Sequence, residues 1–142
     1  MGSKDNYLER AVLDAILGPG FSPPATVYFA LFSTVPTETT AGIELTTGTA
    51  PGYARLAATN NTTNFPAATT NGTTGKGEKT VGVAQTFGAN SGGANWPTVA
   101  GWSLLDASSG GNRLLWGEVA PLAITPAAAF VIPAGAVIWR ED

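Results

Sequence analysis

The sequence predicts an all-β fold, a β-sandwich or jelly roll carrying one short N-terminal α-helix. Three observations predict it. Apolar residues recur in short runs that alternate every second position, the pattern of half-buried strands. Glycine (18) and proline (10) punctuate those runs along the 142 residues, which supplies turn chemistry at close intervals. A helical apolar period is confined to the stretch "DNYLERAVLDAIL" (5–17).

In that stretch Leu8, Val12, Ala15 and Ile16 fall on one stripe, Asp5 is placed as the N-cap, and Gly18-Pro19 ends the helix. "GPGFSPP" (18–24) is a stiff connector that cannot be helical. "TVYFALF" (26–32) is apolar on both faces and reads as a central strand. The polar loop 33–52 carries a short edge strand at 43–46, and "YARLAAT" (53–59) is the next strand, with Arg55 snorkelling or pairing with a carboxylate. The stretch 60–79 is rich in Thr, Asn and Gly and reads as loop. "TVGVAQTF" (80–87) alternates as a strand, and a second loop follows at 88–95, leading to Trp96. In "GWSLLDASSGGNRLLWGEV" (101–119), two apolar runs flank Asp106, Ser108, Ser109, Gly110, Gly111 and Asn112, the grammar of a β-hairpin. Its strands span 99–105 and 114–119. Two last short strands fill 129–141, turning at Pro133, Ala134 and Gly135. Residues 1–24 thus form a helix and connector able to act as a docking arm, and 25–142 a single β domain.

A chain of this length buries enough surface to fold without disulfide or metal. It has no cysteine and no histidine, which removes the commonest general base and metal ligand. Charged residues are 12% of the chain and the net charge is −3. The basic residues are scattered, so the concentrated electropositive face that nucleic acid requires is missing. Disorder is countered by 44% apolar residues. The first residues are polar rather than signal-like, and no apolar stretch approaches the ~20 residues of a membrane span. Low charge suits a surface largely hidden by neighbours.

Chemistry is sparse. No serine sits in a nucleophile elbow. "GTTGKGEKT" lacks phosphate-loop spacing. The glycosylation-type triplets at Asn60, Asn61 and Asn71 are chance matches without a secretory signal. Asp106 and Glu118 flank one hairpin and are the plausible strand-associated acid pair, for which turn capping and solvation are the commoner roles. The expectation is a non-enzyme with no cofactor, no metal and no small-molecule substrate. Trp96, Trp102, Trp116 and Trp139 suit either a carbohydrate-stacking platform or an interface, and core packing is the commoner role for Trp102 and Trp116. The candidate partner-interface residues are Tyr7, Leu8, Val12 and Ile16 on the helix, and Trp96.

The ordered motifs "TVYFALFSTVPTETTAG", "YARLA", "NNTTNFPAAT", "WPTVAGWSLLDASSGGNRLLWGEV" and "IPAGAV" resemble a family of small virion proteins of tailed bacteriophages, commonly labelled tail fibre proteins. The likeness covers nearly the whole chain, with residues 73–95 elaborated. It implies a non-enzymatic virion component with a compact β fold, made in the host cytoplasm. The chain has neither the repeats nor the heptads of a long fibre shaft. The first functional reading is therefore a capsid decoration (cement) protein, seated between capsomers and strengthened by multivalency. A tail fibre or tail-tip protein is the second, and a carbohydrate-binding module the third. The expected partners are the major capsid protein or another virion protein and further copies of the chain, with no nucleic acid and no membrane.

Overall fold

The computed structural model describes residues 2–18 and 20–141; Met1, Asp142 and the helix-stopping Pro19 lie outside them. The described residues form, in chain order, β1 (Gly2–Lys4), α1 (Asn6–Leu17), β2 (Thr26–Thr34), β3 (Ile43–Glu44), β4 (Leu56–Thr59), β5 (Thr69–Thr70), β6 (Gly77–Thr80), β7 (Gln85–Thr86), β8 (Val99–Leu105), β9 (Arg113–Leu122), β10 (Val131–Ile132) and β11 (Val137–Arg140). All pairings are antiparallel. The fold is therefore all-β with one short N-terminal helix. The pairings define one six-stranded sheet, ordered β1-β9-β8-β2-β3 with β4 also on β2, plus the small sheets β10-β7 and β11-β6-β5.

The centre of the large sheet follows from residue type. β2 and β8 are apolar on both faces, so both sit inside the sheet with each face covered. Phe29 stands opposite Leu104 and Leu31 opposite Trp102, all facing the main core. On the reverse face Ala30, Phe32 and Leu105 make a separate small cluster. The main core joins this sheet to Val81, Phe87, Ile132 and Ile138 from the small sheets and their flanks.

Several sequence expectations are corrected. The run 80–87 is not one strand: β6 pairs with β11 and β7 with β10, and the chain turns between them at Gly82. A Cβ there would lie 2.2 Å from the Thr63 carbonyl oxygen, so glycine is required. The two C-terminal strands turn at 133–135 as expected but pair with β6 and β7 rather than with each other. The strand expected at 53–59 begins only at Leu56, because Tyr53 turns into the core. The loop 60–79 contains β5 and most of β6. β1 has no apolar signal; it forms by pairing Gly2, Ser3 and Lys4 with Gly117, Trp116 and Leu115 of β9.

β9 outruns β1. It continues to Leu122, its register against β8 shifts between Val99 and Gly101, and Pro121 lies in this last stretch.

Candidate interaction surface

Asp5 caps α1 as expected: its Oδ1 accepts the Tyr7 N–H at 3.2 Å. The cap is also tied to the sheet, since the Asp5 N–H donates to the Leu114 carbonyl at 2.9 Å and Arg113 Nε donates to Asp5 Oδ2 at 2.7 Å. Residues two to five are thus built into the large sheet before the helix begins. Of the candidate interface residues, Leu8 lies in the core at 8% exposure, and Tyr7 and Val12 are half-buried against it. Trp96 is 2% exposed, donates its indole N–H to the Pro51 carbonyl at 3.0 Å, and meets the Tyr53 ring edge-on. Ile16 is the exception, exposed by 71%.

The predicted stripe misplaces the buried face. Leu8 and Ala11 are buried, whereas Ala15 and Ile16 are exposed. Leu13 (61%) and Leu17 (87%) are exposed as well. At 100° per residue they lie nearly opposite Leu8. α1 is apolar on two sides, and the sheet covers one. A surface helix normally keeps its outer side polar.

Two arginines hold loops near the large sheet. Arg55 donates from Nε and Nη2 to the two Glu44 carboxylate oxygens, each at 2.8 Å, and from Nη1 to the Ala107 and Gly110 carbonyls, also at 2.8 Å. It thereby fixes the hairpin tip, where Gly110 and Gly111 take positive φ. The bond to Glu44 raises the Arg55 pKa, overcoming burial. Arg113 does the same for residues 37–41: besides Asp5 it reaches the carbonyls of Thr37, Thr40 (3.2 Å) and Ala41 (3.5 Å). Tyr53 completes the first network. Its hydroxyl accepts the Leu31 N–H and donates to Glu44 Oε1, each at 3.1 Å. Burial, chiefly, pushes this phenol well above the ordinary tyrosine range. Of the two roles the sequence left open for Arg55, it takes the carboxylate pair; Arg113, whose partners are 72 to 108 residues distant, carried no such signal.

Acid chemistry is not assembled. Asp106 is consumed as a turn cap, its carboxylate accepting the Asn112 N–H (2.6 Å) and side-chain amide (2.8 Å). Glu118 stands opposite Gly101 at the other end of the hairpin, about 15 Å away along the strands. The polar stretch 60–79 is ordered by repeated turn chemistry: Asn61 Oδ1 accepts from the N–H groups of Thr63 and Asn64, and Asn71 Oδ1 from those of Thr73 and Thr74.

Where α1, the connector and the core meet there is an apolar cavity of about 160 Å³, walled by Leu8, Val27, Phe65, Leu104 and Ile138. Asn60, Lys79 and Trp139 also line it. The cavity is partly open to solvent. The Trp139 indole N–H is buried and has no hydrogen-bond partner, as is true of Trp116 Nε1 and Ser103 Oγ among the described residues.

The family described as "Podophage GP4 fiber I protein gp80" matches residues 3–140. The chain belongs to this family. It is a bacteriophage virion component, a non-enzymatic fibre protein. No curated protein matches it. The match favours the fibre reading, the second that the sequence suggests, over the capsid decoration reading, the first.

Proposed function

We propose that the protein is a structural subunit of a virion fibre, present in several copies that associate with one another and with other virion proteins. The observation that carries this reading is the extent of the family match. Residues 3–140 reach from β1 through β11, so the likeness is to the whole fold rather than to a local motif. Residues 25–142, with β1 added to the large sheet, supply the β domain. Residues 1–24 serve as the docking unit through the outward side of α1, while β1 stays paired in the large sheet and Leu8 stays in the core.

The four tryptophans weigh against the carbohydrate reading. Trp96 and Trp102 are buried, and Trp116 and Trp139 are only partly exposed. A stacking platform needs exposed ring faces.

The test is location on intact particles. An antibody or peptide tag on the exposed loop at residues 108–111 is expected to label projecting fibres in electron micrographs. Label confined to shell sites between capsomers would overturn the fibre reading and restore the decoration reading.

A further inference from the structure

We infer that two copies of the chain exchange their N-terminal arms, residues 2–12 of each seating on the β domain of the other. The inference rests on the multi-copy fibre reading and names how the docking unit engages a neighbour.

The seat for the arm is the one the chain builds for itself. β1 pairs with Leu115, Trp116 and Gly117 of β9. Asp5 is held by Arg113 and by the Leu114 carbonyl, and Leu8 enters the core. Lys4 Nζ lies 5.6 Å from the centre of the Trp139 ring and meets Glu141 Oε2 at 2.8 Å. Each of these contacts joins the arm to residues beyond the connector. The arm of a second copy makes them equally well, so exchange costs none of them. The choice between closed and exchanged forms falls to the segment that joins arm to domain.

That segment has two features that favour exchange. Residues 13–18 and Gly20 are all exposed, and they include the apolar Leu13, Ile16 and Leu17. In an exchanged pair both joining segments run between the two domains, side by side about a twofold axis. Leu13, Ile16 and Leu17 of the two copies then cover one another there, and the outer side of α1 is no longer bare. The second feature is Gly20. In the closed form the chain doubles back at this residue, with φ at +89° and its N–H on the Asp14 carbonyl at 3.1 Å. Only glycine takes that conformation without penalty. Pro23 and Pro24 follow, and both favour an extended chain. The exchanged form runs on to the other domain and dispenses with the turn. A hinge under such constraint invites exchange, and the resulting dimer is closed and symmetric.

The experiment follows the Lys4–Glu141 ion pair in the intact chain. Unlabelled and heavy-isotope-labelled protein are mixed in equal amounts, unfolded, refolded at high concentration and separated by size. Carbodiimide then joins the Lys4 amine to the Glu141 carboxylate as an amide, with loss of water, and mass spectrometry reads the isotopes of the joined peptides. A dimer fraction is expected in which mixed-label pairs are as frequent as uniform ones, whereas the monomer fraction gives uniform pairs alone. Gly20→Ala penalises the closed turn about fivefold in each copy, so the dimer dissociation constant falls roughly 30-fold. Leu17→Asp sets charge between the two domains and raises it roughly 10- to 100-fold. A chain that forms no dimer, a dimer whose Lys4–Glu141 pairs are all uniform in label, or a Gly20→Ala dissociation constant equal to that of wild type would each overturn the exchange. Particle labelling tests the fibre reading separately: fibres labelled by a chain that does not exchange would leave that reading standing.

Discussion

Replacing Tyr53 by phenylalanine removes one oxygen atom at a place where the large sheet has a gap. β4 pairs with β2 only as far as Phe29, and β3 begins opposite Phe32. Between these short neighbours the fully buried Leu31 would have a bare N–H on its outer side, and the Tyr53 hydroxyl fills the vacancy. The ring itself stays in place, stacked on Phe87 at 6.2 Å and edge-on to Trp96 at 6.1 Å. The loss is then mostly an unsatisfied buried donor, about 1–3 kcal/mol, plus a hydrogen bond to a carboxylate that Arg55 still holds. A destabilisation of about 2–3 kcal/mol is expected in urea unfolding at pH 7, with the slope unchanged. The pH dependence adds a second signature. Because the folded phenol ionises above its unfolded value of about 10, its stabilising effect is complete below that pH. The effect is lost progressively as the pH rises above it. The phenylalanine variant lacks this component, so its stability falls less steeply above pH 10. Equal stability of the two proteins at pH 7, or an equal alkaline loss in both, would refute the gap-filling role.

Arg113→Met strands the Asp5 carboxylate, whose side chain is only 14% exposed, together with three loop carbonyls; a loss of about 2–4 kcal/mol is expected, read by urea unfolding, with faster amide exchange confined to residues 37–41. Deleting residues 1–17 removes β1 and the buried Leu8, so a drop of at least about 3 kcal/mol is expected. By contrast Leu17→Asp, on the outer side of α1, should leave the melting curve of the monomer within about 0.5 kcal/mol of wild type.

What the sequence revealed were the elements whose own side chains decide their state. β8 ends at the residues expected for it, and β2 extends only two residues further, because runs apolar on both faces have no stable place except mid-sheet. Asp5, Gly110 and Gly111 announced a helix start and a hairpin tip through local chemistry alone. What it hid were states imposed from afar. Gly2, Ser3 and Lys4 carry no strand pattern and are strand because β9 lies beside them. The run 80–87 alternates correctly, yet the Thr63 carbonyl crowding Gly82 breaks it. At the interaction surface, periodicity put Ile16 on the stripe with Leu8, yet Ile16 is exposed and Leu8 buried. The cavity, formed by residues from Leu8 to Trp139, had no sequence signal.

The way β9 ends bears on how crowded copies avoid one another. A fibre holds many identical chains at high local concentration, where an exposed strand edge is a template for cross-β growth. Past Gly117, the last residue opposite described β1, β9 offers such an edge only in damaged form. The register shift beside Val99 bends the backbone out of line, and Pro121 has no N–H to give. Backbone pairing between copies is thereby discouraged along the open part of the one long strand on that side of the sheet. Association is left to contacts that recognise a particular neighbour, where an open ladder would accept any.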